Sequence, residues 1–154
     1  MTIVVGYTPT PPGRAALVAA AGVAAERNQP VVVVNSSRGD AWADPGFAQQ
    51  ADLDWAGTKL EEAGVEFSIR QSVRGREASE EVLTVLEEVG AELCVIGIRR
   101  RTAVGKMLLG SNAHRILMDA PCPVLAVKGG RPWLTVCLMV ASAPPTWWIA
   151  TAMP

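Results

Sequence analysis

Residues 95–128 read VIGIRRRTAVGKMLLGSNAHRILMDAPCPVLAVK, and their punctuation predicts strand, loop, helix, strand. The apolar run Leu93–Ile96 ends at Gly97, where the backbone can turn off a strand end without a Cβ in the way. A basic loop follows. Gly110-Ser111 then opens a helix to about Asp119, with Ser111 expected as its N-cap and Gly110 leaving room for close approach to the backbone. The first amides of a helix lack internal partners and sit at the positive end of its dipole, which suits a phosphate. The stretch predicts an anion cradle followed by a buried strand, Val124–Val127.

Upstream, the same alternation recurs. Ile3, Val4 and Val5 end at Gly6 and predict a first strand buried on both faces. Thr10-Pro11-Pro12 predicts a helix start, because Thr caps well and proline costs nothing in the first turn. An alanine-rich helix to about Glu26 leads to Pro30 and the strand Val31–Val34, completing a βαβ unit. Residues 37–46 are turn-rich. Leu53, Ala56, Leu60 and Ala63 have helical spacing within 47–63, and Gly64 stands as the stop. Val65, Phe67, Ile69 and Gln71 alternate with polar residues as in a sheet-edge strand, and Glu77–Val89 carries one apolar stripe ending at Gly90. The fold class is therefore α/β, a doubly wound domain over residues 1–128 with five strands and four helices. Ligands in such sheets bind beyond the C-terminal strand ends at the switch point of the strand order.

Residues 129–154, GGRPWLTVCLMVASAPPTWWIATAMP, hold one charged residue and three of the five tryptophans of the chain. They are expected to form an apolar, poorly ordered C-terminal extension, with a strand-like appendage or partner-covered surface as the alternative. The Trp133–Ala141 run is too short to span a bilayer, so no membrane partner is expected.

Composition bounds the rest. The chain has 154 residues, 49% hydrophobic and 19% charged, enough for one domain with a real core. A net charge of −1 provides no global field for nucleic acid. Three cysteines form no framework, and the N-terminus lacks a basic region and a continuous apolar signal stretch, which predicts a cytoplasmic setting. His114 is the sole histidine, so no histidine-based metal cluster is expected, and its place on a helix predicts a surface residue. Gly105-Lys106 is not a P-loop, because Arg100 and Met107 stand where that motif needs Gly and Ser or Thr. The chain after the first strand, GYTPTPPG, is no dinucleotide fingerprint. No nucleophile–base or paired acid/base constellation is present, so no catalytic residue is assigned. Arg99, Arg100 and Arg101 flank the cradle and are suited to grip phosphate through paired hydrogen bonds; the other reading is a solvated loop.

The spacing Gly97-Ile98-Arg99, nine residues 101–109, and Gly110-Ser111, continuing as HRILMDAPCPVLAVK, resembles the C-terminal signature of the universal stress protein family. Arg100 departs from it, standing where the family has a second Gly. The resemblance implies strand order 3-2-1-4-5 in an adenine nucleotide alpha hydrolase-like fold. It implies an ATP-binding or related adenine-nucleotide-binding regulatory protein that is not an enzyme. The residues matching nucleotide-contacting positions are Ser36, which lines the base pocket, and Ile96, Gly97, Arg99, Gly110, Ser111 and Asn112, which contact ribose and phosphates; Tyr7 and Thr8 lie in the loop after the first strand. Thr8 aligns with an Asp that holds the nucleoside. The resemblance further implies a homodimer through the last strand. Thr8 and Arg100, both departures, support an alternative: a protein–protein interaction module that has lost nucleotide binding.

Overall fold

The β-branched runs form the centre of a sheet in the computed structural model, which describes residues 1–37, 46–73, 77–99, 110–129 and 135–138. The strands are β1 (Thr2–Gly6), β2 (Val31–Ser37), β3 (Phe67–Val73), β4 (Ala91–Ile98), β5 (Val124–Lys128) and β6 (Thr135–Leu138). The first five are parallel in the order β3-β2-β1-β4-β5, as the resemblance implies. Within the C-terminal apolar run, β6 pairs antiparallel with the outer edge of β5, from Val124↔Leu138 to Val127↔Thr135. The remainder of that run, residues 130–134 and 139–154, lies outside the described residues.

The period-two alternation divides the core. Ile3, Val5, Val31 and Val33 face α1 (Pro11–Arg27) and α2 (Gln50–Glu62). Val4, Val32, Val34, Cys94 and Ile96 face α3 (Ala78–Val89) and α4 (Ser111–Asp119). Because both faces are covered, the runs Ile3–Val5 and Val31–Val34 can be apolar on both sides, and each fully buried Val or Leu contributes roughly 1.5–3 kcal/mol relative to exposure.

α1 begins where the Thr-Pro-Pro signal predicts. Thr10 Oγ1 accepts from Gly13 N–H at 3.4 Å, and Pro11 and Pro12 occupy the first two helical positions. Ala16, Ala20 and Ala24 are fully buried, which lets the helix lie close to the sheet. Its first turn rests on two strand ends without side chains: a Cβ on Gly97 would overlap the Pro12 carbonyl, and one on Gly129 would lie 2.6 Å from Pro12 N.

Several boundaries differ from the sequence reading by one to three residues, and three of the differences have a clear local reason. α2 starts at Gln50 rather than near Phe47, because Asn35 holds Gly46 and Ala48 outside the helix. β3 starts at Phe67 rather than Val65, since Val65 N–H bonds Leu60 O at the end of α2. The N-cap of α4 is Gly110 (φ −63°, ψ 154°), which has no side chain to cap with, and Ser111 is already helical.

Candidate functional site

β1 and β4 are neighbours whose following helices lie on opposite faces, so a cleft opens at their C-terminal ends. It has a volume of about 110 Å³. The β1 end contributes Gly6, Tyr7 and Thr8, β2 contributes Val34 and Ser36, and β4 contributes Ile96 and Gly97. Ala78 and Val82 of α3 and Asn112, Ala113 and Ile116 of α4 close the sides. One wall is therefore hydrophobic and the other begins a helix.

Tyr7, Thr8, Ser36, Ile96, Gly97 and Asn112, all read from the sequence, come together here. Their contributions are unequal. The Tyr7 ring packs into the opposite core, 6.5 Å from Trp55 in a stacked arrangement, and its hydroxyl donates to the Asp52 carbonyl at 3.3 Å. Burial, and then the Asp52 charge, push its pKa up against the opposing influence of Arg14. Tyr7 thus presents backbone, not ring, to the cleft. Thr8 Oγ1 lies 2.8 Å from Thr10 Oγ1, so one of its hydrogen-bonding directions is used inside the loop.

Gly110 and Ser111 stand exposed at the start of α4, beside Asn112 but not lining the cleft. Nothing lies within 4 Å of a Cβ placed on Gly110, and its φ is open to any residue. The folded chain does not itself require glycine there. Arg99 is exposed just beyond β4, and Arg100 and Arg101 lie outside the described residues. Asn112 is steadied from α3: the fully buried Ser79 donates from Oγ to Asn112 Oδ1 at 3.2 Å. Arg115 ties the same helices together, 3.0 Å from Glu80 and 3.8 Å from Glu77 and Asp119.

Sequence reasoning missed Val34, Ala78, Val82, Ala113 and Ile116. The signal existed in the apolar stripe of α3, but a stripe also serves the core, and Val82 serves both. No group of three metal-ligating side chains is present among the described residues. His114 is exposed on α4, and among the described residues no Asp, Glu, His or Cys lines the cleft. Among the described residues, no helix is long and apolar enough to cross a membrane.

Comparison with known proteins fits this geometry. Residues 1–128 match the model of the universal stress protein family. A universal stress protein of Mycolicibacterium smegmatis is 48% identical over 126 residues, 82% of this chain and 96% of that relative. The solved universal stress protein of Archaeoglobus fulgidus superposes with a TM-score of 0.70 at 30% identity, covering 82% of this chain and 97% of that one. A structure of the A. fulgidus universal stress protein in complex with dAMP gives 0.60 at 26% identity, covering 82% and 96%. With the family model covering the whole doubly wound domain, this chain belongs to the universal stress protein family.

Proposed function

We propose that the chain is a non-catalytic regulatory protein of the stress response that binds ATP or a related adenine nucleotide in the β1/β4 cleft. The observation that carries this reading is the cleft's two-sided build. Val34, Val82 and Ile116 offer an apolar wall to a base, with Ser36 at its edge. At the other side α4 begins with an unobstructed Gly110 and the amides of Ser111 and Asn112, a setting for phosphates. Arg99 and the two arginines after it would supply positive charge to the phosphate end. The dAMP complex of a relative supports the ligand class. Among the described residues no carboxylate lines the cleft to activate water, and binding rather than hydrolysis is the function proposed.

The test is direct. Purified protein is denatured, the released small molecules are separated on a nucleotide-resolving column, and the protein is titrated with ATP by calorimetry. Stoichiometric adenine nucleotide, or clear heat at micromolar ATP, is expected. No released nucleotide and no heat up to millimolar ATP would overturn the reading.

Thr8 favours a second reading, an interaction module without nucleotide. Its hydroxyl pairs with Thr10, and it lacks the two-oxygen charged acceptor of a carboxylate. A cytoplasmic homodimer through the last strand is proposed under either reading. The outer edge of β5 already carries β6, so two copies would meet along β6 or after its release.

A further inference from the structure

Asn35 is 1% exposed and lies on the α1/α2 side of β2, while its neighbour Ser36 lines the cleft on the other. All four hydrogen-bonding directions of its carboxamide are used. Nδ2 donates to the Tyr7 and Gly46 carbonyls, each at 2.9 Å; Oδ1 accepts from Ala48 N–H at 3.0 Å and from Gln71 Nε2 at 3.2 Å. Gln71 Nε2 also donates to the Ala48 carbonyl at 2.7 Å. These bonds join four segments: the corner after β1, the end of β2, the chain entering α2 and β3. Tyr7 N–H still bonds Val34 O at 2.8 Å, so the β1–β2 ladder continues to Tyr7, whose carbonyl is then taken by a side chain.

That arrangement sets the cleft from behind. Tyr7 and Thr8 form its β1 wall and Ser36 its β2 wall, and Asn35 spans the two without entering it. A fully satisfied buried amide rigidifies what it joins, and leaving its partners unpaired is costly. We propose that Asn35 is the positioning residue of this cleft, fixing the Tyr7–Thr8 corner and the Gly46–Ala48 segment as one unit on which ligand affinity depends. The proposal rests on the nucleotide-binding reading for its ligand; the coupling of the two segments is independent of it.

The test uses the full-length protein and ATP as probe, with amide hydrogen exchange and calorimetry. In the unmodified protein, saturating ATP is expected to slow exchange at Ala48 N–H, on the far face of the sheet from the ligand, since coupling is reciprocal. Asn35→Ala is expected to speed exchange at Ala48 and Tyr7 and weaken ATP binding by at least about tenfold. Val31→Ala, a cavity in the same strand away from the cleft, serves as the control and is expected to change affinity by less than about twofold. Wild-type affinity in a folded Asn35→Ala protein, an equal loss in the control, or no ATP-dependent protection at Ala48 in a protein that binds ATP would each overturn the proposal. If the unmodified protein binds no ATP, the functional reading falls instead, and exchange alone decides: unchanged rates at Ala48 and Tyr7 in Asn35→Ala refute the coupling. Should that variant not fold, Gln71→Met takes its place: faster exchange at both Ala48 and Tyr7 is expected, and faster exchange at Ala48 alone would refute the coupling.

Discussion

A Cβ on Gly97 would overlap the carbonyl oxygen of Pro12. The strand-end glycine of the signature is thus held, in this chain, by the first turn of α1 as much as by any ligand. Gly110, the other end of the signature, has open space around it and an ordinary φ. The two glycines therefore make opposite predictions. Gly97→Ala is expected to lower stability by about 2 kcal/mol or more, since backbone rather than a flexible side chain must move. Gly110→Val is expected to weaken ATP binding at least about tenfold at a cost to folding of about 1 kcal/mol or less. Urea unfolding and calorimetry on both variants check the contrast. Equal loss of stability would show that Gly110 is structural too.

Thr8 gives the second prediction. It stands next to the cleft, where the resemblance places an Asp, and near the start of α1, whose amides favour a negative charge. Thr8→Asp is expected to raise adenine-nucleotide affinity by about tenfold, the worth of one charge-assisted hydrogen bond. Titration of both proteins with ATP checks it. Unchanged or weaker binding would favour the interaction-module reading.

The strands were legible because β-branched runs of Val and Ile admit one place, a sheet covered on both faces; the start of α1 was legible because Thr10-Pro11-Pro12 is a local signal. The order of strands came from the resemblance, as periodicity carries no information about neighbours. Within the site, Tyr7, Thr8, Ser36, Ile96, Gly97 and Asn112 were readable because they sit at strand ends or at a helix start. The direction of the Tyr7 ring was not, since stacking on Trp55 and the bond to Asp52 depend on contacts 45 or more residues away. Asn35 and Ser79 were unreadable for the same reason. Each is an ordinary polar residue whose partners lie 28 to 36 and 33 positions distant, apart from the nearer Gly46 and Ala48.

The buried thiols give a pH prediction. Burial pushes Cys122 from 9.0 up to about 11 and Cys94 further up, its neighbour Cys122 adding to the effect. Each folded value is raised above the unfolded one, so the thiol contribution to stability is fully present below about pH 9 and is lost as pH rises through the folded value. Unfolding free energy is therefore expected to decline between about pH 9 and 11. In a Cys137→Ser background, neither thiol should react with a thiol reagent at pH 8 until urea is added. Rapid labelling of the native protein would contradict the burial of Cys122.

The last prediction concerns the sheet edge. Val124–Val127 are buried, and among the described residues the outer backbone of β5 is paired through β6, four residues from Thr135 to Leu138. An apolar strand stripped of that cover presents a row of unpaired N–H and C=O groups, which invites another chain. A chain ending at Gly130 retains the contact of Gly129 with Pro12 and loses β6. It is expected to associate more strongly than the full chain of 16.3 kDa, with light scattering at micromolar concentration showing a larger mean mass. If the shortened chain forms a defined dimer while the full chain stays a monomer, β6 acts as an intramolecular substitute for a partner strand. If both are dimers of equal affinity, the contact between copies lies elsewhere, and pairing through the last strand is wrong.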